Sequence, residues 1–239
     1  MKVQRYFTKE KQGNYLLLNE KDTPHISRVM RMKVGDHVEV VYDQVAYECE
    51  IVEMGKQVVT TIKKVLEEKR KKRGEIVLLI PLLKEQKLDY ILQKSTELGV
   101  DQIWFIDTTR SVVKWDHKKT NKKLDRWSTI VKEASEQSKR LTIPEIRGVY
   151  ALSDLKNIEG VKMLCSTREP KNNVKLFLQN HSKYDKMFIA VGPEGGFTLQ
   201  EENTFLEMGF EAVTLGSNIL RVETVPLFCL SAVIYENME

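Results

Sequence analysis

The sequence contains little cysteine and no spacing typical of a structural metal site. Three of its 239 residues are cysteines, Cys49, Cys165 and Cys229, and no two of them stand in a C-x-x-C spacing. Because that spacing is typical of structural zinc sites, we expect no metal to be bound. The cysteines are too far apart in the sequence to suggest a disulfide framework, which favours reduced thiols in a cytosol.

Long apolar stretches are absent as well. No run of about 18 apolar residues occurs, and the segment MKVQRYFTKEK lacks the apolar core of a signal peptide. We therefore expect a cytoplasmic protein with no membrane partner. The composition, 41% hydrophobic and 30% charged, is typical of a soluble globular protein. The net charge of +4 does not identify a nucleic-acid partner by itself, but the basic residues are clustered.

The sequence changes character near residue 74. Before that point the segment VAYECEI alternates between two faces with the period of a half-buried strand, and turn signals separate several short strands. The charged stretch KKVLEEKRKKRG then ends at Gly74. We therefore predict a small β-barrel domain over residues 1–73 and a second domain over residues 74–239.

The second part alternates between apolar strands and amphipathic helices. We predict strands at EIVLLIP, QIWFID, VKMLCS, KMFIAV and EAVTLG, and helices at KEQKLDYILQKSTELG and NKKLDRWSTIVKEASEQSKR. This alternation predicts an α/β sheet with helices on both faces. Ligands of such sheets usually bind at the carboxyl ends of the strands, so the loops there form the candidate site.

Three loops follow these strands: STREP at residues 166–170, GPEGG at 192–196 and GSNILRVET at 216–224. The glycines permit a close approach of the backbone to a ligand, and Thr198 with Glu201 forms a T-x-x-E capping box that marks a helix start. Such a loop alone is equally consistent with a tight connection. It matches neither G-x-x-x-x-G-K-[ST] nor G-x-G-x-x-G, and Glu194 would repel a phosphate with no lysine in the loop to offset it. A ligand without phosphate, such as S-adenosylmethionine, fits better.

These motifs together resemble the RsmE family, the 16S ribosomal RNA uridine-N3 methyltransferases of the SPOUT class. The resemblance is carried by IAVGPEGGFTLQE, VTLGSNILRVET and LQKSTELGVDQIWFIDTTRSVVK. RYFT and HISRVMRMKVGD are similar to the family's PUA-like RNA-binding domain. One departure is Val225-Pro226, where the family usually has alanine after Glu-Thr. Proline is accepted in the first turn of a helix, so we expect a local variation and not lost activity.

The resemblance implies a fold, a cofactor and an assembly. The fold is an α/β knotted methyltransferase domain with a deep trefoil knot, preceded by a PUA-like β-barrel, and the assembly is a homodimer. The implied cofactor is S-adenosylmethionine. The residues implied to line its pocket are Thr167, Gly192, Gly195, Leu215, Gly216, Ile219 and Leu220.

Methylation at N3 of uridine requires the N3 proton to leave, so negative charge develops on the ring. Arg221 lies next to the implied cofactor pocket and is a candidate to stabilise that charge. The alternative is that Arg221 forms an ion pair with Glu223 or Glu194 that only holds the loops together. No histidine lies in these loops, and Glu194, Glu223 and water or hydroxide are the candidate bases.

Basic residues in both parts are candidates for RNA binding, and the resemblance identifies the RNA as 16S ribosomal RNA of the small ribosomal subunit. Arg28 and Arg31 are spaced i, i+3 and are expected to share a helical face. Clusters at residues 69–73 and 114–123 are expected to be exposed, and Lys87 is a further basic residue of the second part. The candidate RNA-binding residues are Arg5, Arg28, Arg31, Lys94, Arg110, Gln137 and Arg140. Two alternatives stay open: a ribosome-assembly factor without catalysis, and a methyltransferase acting on transfer RNA.

Overall fold

The computed structural model describes residues 3–68, 74–113, 120–168 and 171–238. The chain forms two compact units, the first containing Met1–Lys71 with Ser135–Thr142 and the second Lys72–Ala134 with Ile143–Glu239. The predicted basic cluster at 69–73 lies outside the described residues, as does most of the cluster at 114–123. The domain boundary after residue 73 therefore stays a prediction. Over the described ranges, no helix is long and apolar enough to cross a membrane.

A six-stranded sheet forms the first unit. Its strands are β1 (Arg5–Phe7), β2 (Glu10–Gln12), β3 (Tyr15–Leu17), β4 (His37–Tyr42), β5 (Val45–Met54) and β6 (Val58–Glu67). They lie in the order β1-β4-β5-β6-β3-β2. β1 and β4 run parallel and the other neighbours are antiparallel. The alternation predicted for β5 is confirmed, because Cys49 and Ile51 lie in the main core while Ala46 packs with Phe7 and Val41 in a separate cluster.

The two outer strands of this sheet, β1 and β2, are consecutive in the chain and only residues 8–9 connect them. Thr8 bonds to both sides of the sheet: its backbone N–H donates to the Val41 carbonyl in β4 at 3.0 Å, and its hydroxyl donates to the Leu17 carbonyl in β3. The sheet therefore curls so that its ends approach each other, as in a small barrel.

A parallel sheet forms the centre of the second unit. Its strands are β7 (Glu75–Pro81), β8 (Gln102–Ile106), β9 (Glu145–Tyr150), β10 (Val161–Cys165), β11 (Lys186–Ala190) and β12 (Glu211–Val213). The helices are α1 (Glu85–Glu97), α2 (Thr120–Gln137), α3 (Val174–Asn180), α4 (Leu199–Glu207) and α5 (Thr224–Glu236). The strand order is β12-β10-β11-β7-β8-β9, and all neighbouring pairs are parallel.

Strand β7 shows why the continuous apolar run EIVLLIP forms a buried strand. Ile76 and Leu78 belong to the core on one face of the sheet, and Val77 and Leu79 belong to the core on the other face. All four side chains are fully buried. A strand covered on both faces needs apolar residues at every position, which is typical of parallel sheets.

The order of the strands brings three loops to one edge of this sheet. β12, β10 and β11 are neighbours and run parallel, so their carboxyl ends meet. The first site loop starts at residue 166 after β10, the second spans residues 191–198 after β11, and the third spans residues 214–223 after β12. These are the loops at which the sequence predicts a site.

Candidate active site

Two adjoining cavities open among the three site loops of the second unit. The larger has a volume of about 390 Å³ and the smaller of about 130 Å³. The residues lining both are Cys165, Thr167, Ile219, Leu220 and Val225. Because the cavities share these residues, they are two lobes of one site.

Glycines give the second and third site loops their conformation. Gly196 has φ +67° and Gly216 has φ +126°, values that favour glycine over any residue with a Cβ atom. At Gly192 the constraint is space, because a Cβ atom would lie 3.1 Å from the backbone nitrogen of Phe197. The predicted capping box is confirmed: Thr198 and Glu201 exchange side-chain to backbone hydrogen bonds at the start of α4.

The structure brings six of the seven predicted cofactor residues to the two lobes. Those lining the larger lobe, the smaller lobe or both are Thr167, Gly192, Leu215, Gly216, Ile219 and Leu220. The exception is Gly195. Its carbonyl oxygen accepts a hydrogen bond from Arg110 Nη1 at 2.7 Å, and a Cβ atom there would lie 3.3 Å from Arg110 Cδ. Gly195 thus lies beside Arg110, while its neighbours Glu194 and Gly196 line the larger lobe, and its role in binding the cofactor stays a prediction.

Lys87 of α1 brings a positive charge to the larger lobe and lies beside Glu194, although the loop itself contains no lysine. The Lys87 Nζ atom lies 2.5 Å from Glu194 Oε1 and 3.6 Å from Glu223 Oε2. Its hydrogen bond holds the pKa of Glu194 below the ordinary range, and the same bond raises the pKa of Lys87. The second and third site loops are thus both linked to α1 by charge.

Arg221, the predicted catalytic residue, lines the larger lobe and is exposed. Its carbonyl oxygen accepts the backbone N–H groups of Thr224 and Val225 at the start of α5. Within the described ranges its guanidinium forms no ion pair, and both carboxylates that the sequence offered as partners lie beside Lys87 Nζ, at 2.5 Å for Glu194 and 3.6 Å for Glu223. The alternative of a structural ion pair between Arg221 and Glu194 or Glu223 is therefore not seen in this structure.

Two further features of the site were not found from the sequence. Glu202, in the first turn of α4, is buried and lines the larger lobe. Cys165 and Cys229 are 64 residues apart in the chain, yet their Sγ atoms lie 3.6 Å apart beside the lobes. The hydrogen bond with Cys165, followed by burial, raises the pKa of the Cys229 thiol. The approach of these thiols follows from the packing of α5 on the sheet, which no local pattern encodes.

The candidate RNA-binding residues of the first unit differ in how far they are exposed to solvent. Arg5 is buried: its Nε donates to Glu39 at 2.8 Å, and its Nη1 donates to the carbonyl oxygens of Lys139 and Arg140 at 2.5 and 3.1 Å. These contacts use its guanidinium within the unit, so we withdraw Arg5 from the RNA surface.

Arg28 and Arg31 are both exposed, as binding to RNA requires. Arg28 lies in a π-helical turn, His25–Val29, whereas Arg31 lies beyond the turn with φ +55°. The predicted common helical face is therefore wrong, because the π-helical turn ends before Arg31 and the backbone leaves the helical region at Arg31 itself.

Two candidates of the second unit already have protein partners. Lys94 pairs with Glu97 in α1 at 2.8 Å, and Arg110 donates to Gly195 while its side chain stays at the surface.

The remaining two candidates belong to the first unit. Gln137 is exposed and is the last residue of α2. Arg140 lies past the helix end, half-buried, and its Nε donates to the Thr142 carbonyl at 3.1 Å. The helix predicted to extend to Arg140 thus ends at Gln137.

Family models and known relatives match nearly the whole chain. The model of an RNA methyltransferase domain matches residues 69–234, and that of an RNA methyltransferase PUA domain matches residues 18–63. Ribosomal RNA small subunit methyltransferase E of Bacillus subtilis is 33% identical, covering 98% of this chain and 97% of the relative. The enzyme of the same name from Mesomycoplasma hyopneumoniae is 32% identical, covering 95% and 97%. The chain belongs to the ribosomal RNA small subunit methyltransferase E family.

Solved structures agree with this membership in the methyltransferase E family. The methyltransferase E of Neisseria gonorrhoeae, solved with S-adenosyl methionine, superposes with a TM-score of 0.86 at 27% identity, covering 98% of this chain and 97% of that one. A Legionella pneumophila structure with the cofactor SAM bound gives a TM-score of 0.88 at 28% identity, covering 98% of both chains. The methyltransferase-domain match includes every residue that lines the two lobes. In the part of the chain that the structure describes, no group of three or more His, Cys, Asp or Glu side chains could hold a metal ion.

Proposed function

We propose that this protein transfers a methyl group from S-adenosylmethionine to N3 of one uridine in 16S ribosomal RNA of the small ribosomal subunit. The observation that carries the proposal is the two-lobed cavity, built from three loops at the carboxyl ends of parallel strands. Arg221 lies at its wall and pairs with no carboxylate among the described residues. Family membership and the names of the relatives support the substrate.

The residues of the two lobes fit the proposed cofactor. The smaller lobe is lined by Leu215, Gly216 and other uncharged residues, which suit an adenosine group. The larger lobe is lined by the Glu194 carboxylate, which can attract a positive charge although Lys87 lies beside it. When bound, S-adenosylmethionine supplies an electrophilic methyl group on a sulfonium sulfur and brings no phosphate. We therefore propose Glu194 as a carboxylate facing the cofactor's positive charge.

The charges of the larger lobe also suit loss of a proton from uracil. As the N3 proton leaves, negative charge spreads onto the carbonyl oxygens of the ring, and a guanidinium donating to one of them lowers the barrier. In the part of the chain that the structure describes, Arg221 pairs with no carboxylate, whereas Lys87 lies against Glu194 and Glu223, so Arg221 is the better candidate for this task. The lowered pKa of Glu194 makes it a weaker base than an ordinary glutamate, so Glu223 and hydroxide stay candidates to receive the proton beside it.

We also propose the trefoil knot, the homodimer and the cytoplasmic location that the resemblance implies. Three large apolar side chains of the third site loop and α5 are exposed in the single chain and would be covered by a second copy: Ile219 at 84%, Phe228 at 40% and Tyr235 at 75%.

A methyl-transfer assay tests the proposed function. Free 16S ribosomal RNA, isolated small subunits and transfer RNA are each incubated with the protein and methyl-labelled S-adenosylmethionine, and the label is mapped to a nucleotide and ring atom. We expect label at uridine N3 in ribosomal RNA. Binding to small subunits without any transfer supports the assembly factor, and transfer to transfer RNA alone supports the third alternative.

A further inference from the structure

Two adjacent buried carboxylates lie in the first turn of α4 and point to different loops. Glu201 is 6% exposed and Glu202 is 8% exposed. Glu201 accepts the backbone N–H groups of Thr109 at 2.7 Å and Thr198 at 2.8 Å, so it caps its own helix and fixes the loop after β8. Glu202 instead reaches the larger lobe and the first site loop.

Glu202 holds the first site loop through two of its residues. Its Oε1 atom accepts the hydroxyl of Ser166 at 3.1 Å and Nη1 of Arg168 at 2.7 Å. The Ser166 hydroxyl oxygen also accepts the backbone N–H of Arg168 at 3.0 Å, and Arg168 Nη1 donates to the Phe197 carbonyl at 3.1 Å. The network thus ties the first site loop to the second.

Thr167 is the residue between these two anchors, and it lines both lobes. We propose that Glu202 is a positioning residue of the cofactor site, which sets the place of Thr167 through Ser166 and Arg168. The proposal rests on the function proposed above, because it assumes that the two lobes bind S-adenosylmethionine. Glu202 acts on the loop and is assigned no part in moving the methyl group or the proton.

The strength of the network comes from the charge of a buried carboxylate, Glu202. Hydrogen bonds to an ionised carboxylate are stronger than those between neutral groups, and burial strengthens them further. Ser166 is 7% exposed and its backbone N–H donates to Val213 at the end of β12, so the start of the loop is already fixed. The Glu202 carboxylate adds a second anchor at Arg168, so Thr167 is held from both sides. A loop ordered before the ligand arrives binds it with a smaller entropy loss.

The proposal predicts that Glu202→Gln weakens cofactor binding and leaves the chemical step intact. Calorimetry with S-adenosylhomocysteine should give a Kd raised about tenfold, as expected for loss of one charge-assisted hydrogen bond. The single-turnover methylation rate at saturating cofactor and RNA should stay within about twofold of the wild type. Ser166→Ala removes one neutral donor but keeps the ion pair between Arg168 and Glu202, so it should raise the Kd by only about threefold.

Glu201→Gln is the matched control, since it alters an equally buried carboxylate in the same helical turn. It should lower the melting temperature but leave the Kd for S-adenosylhomocysteine unchanged. The double variant Arg168→Met with Glu202→Gln should raise the Kd by a smaller factor than the product of the two factors measured for the single variants. The reason is that both residues act through one network.

The outcomes separate the two proposals. Failure of the wild type to bind S-adenosylhomocysteine at millimolar concentration overturns the proposed function. If the wild type binds, while Glu202→Gln and Ser166→Ala bind equally well, the positioning role is overturned. A fall in the Glu202→Gln single-turnover rate at saturating cofactor with an unchanged Kd also overturns it, since Glu202 would then act on the reaction itself.

Discussion

Lys87 and Arg221 bring two positive charges to the larger lobe, but their surroundings differ. Lys87 is held between Glu194 and Glu223, whereas Arg221 has no carboxylate partner in the described part of the chain. A cation that is already paired with carboxylates gives little further stabilisation to a negative charge that develops on the substrate. An unpaired guanidinium can respond fully when charge appears on the substrate.

Arg221→Ala is therefore expected to slow chemistry without weakening RNA binding. The single-turnover rate at saturating RNA and cofactor should fall by about 10²-fold or more, the effect of losing one transition-state hydrogen bond. Arg221→Lys, which keeps the charge but not the planar donor pair, should recover part of the rate. A normal rate in Arg221→Ala would show that its role is not catalytic.

The Lys87–Glu194 pair predicts a pH dependence of cofactor binding. In the wild type the pKa of Glu194 is lowered by Lys87, so its carboxylate stays ionised as the pH falls through the ordinary glutamate range. The pair's contribution to the stability of the folded protein is fully present above the unfolded-state pKa of Glu194. It is lost as the pH falls through the lowered folded-state pKa of that residue. In Lys87→Met the pKa returns towards its ordinary value, and Glu194 becomes neutral at a higher pH.

Measured between about pH 4 and 7, the acid weakening of S-adenosylmethionine binding should begin at a higher pH in Lys87→Met than in the wild type. Lys87→Arg, which keeps a cation beside Glu194, should follow the wild-type curve. Superimposable curves for Lys87→Met and the wild type would show that Glu194 does not face the positive charge of the cofactor.

Among the secondary-structure elements, α4 has the clearest start signal, and that signal predicts a measurable stability. Thr198 accepts the Glu201 backbone N–H at 3.1 Å, and the Glu201 carboxylate accepts the Thr198 N–H at 2.8 Å. Thr198→Ala should lower the free energy of unfolding by about 1 kcal/mol, the usual cost of losing an N-cap. Thr204→Ala changes a threonine later in the same helix, whose hydroxyl donates back to the Gln200 carbonyl. It should cost less than about 0.5 kcal/mol in the same denaturant titration.

Elements with a strong local pattern were predicted from the sequence, and those without one were missed. The apolar run of β7 was found, and Gly99 marks the end of α1 with φ +80°, one residue past its C-cap Leu98. Pro226 lies in the first turn of α5, as its residue type allows. β9 was not predicted, because it lies at the sheet edge, where half-buried residues and the Arg147-Gly148 pair break the apolar run.

The contacts that define the site could not be predicted in the same way. Lys87 and Glu194 are 107 residues apart in the chain, and Ser166 and Glu202 are 36 apart. A periodicity argument covers one element at a time, so it places each loop but not the partners that loops find in the folded sheet. The same limit explains Arg5, which a count of basic residues cannot distinguish from an exposed arginine.

For the whole molecule, exposed charge in the first unit predicts how RNA binding depends on salt. Replacing Arg28 and Arg31 together by glutamine should weaken RNA binding. It should also reduce the slope of the log binding constant against log salt concentration by about 1.5, because counterions are no longer released at the phosphate contacts that are lost. The matched control is Lys175→Gln with Lys183→Gln, which removes the same charge from two exposed lysines of the second unit. If both double variants give the same slope, Arg28 and Arg31 do not contact phosphates. The Kd for S-adenosylmethionine should be unchanged in both.

The order of the strands along the chain has a consequence for synthesis. β7 and β8 are made early, but the lobes are bounded by loops that begin at residue 166 and are complete only when α5 supplies Val225. A growing chain therefore passes through a long stage in which strands of the sheet exist and the cofactor has nothing to bind. During that stage the cofactor cannot stabilise the nascent protein by mass action. Cells depleted of the cofactor should thus accumulate less of the finished enzyme through faster degradation after release from the ribosome, with no change in its rate of synthesis.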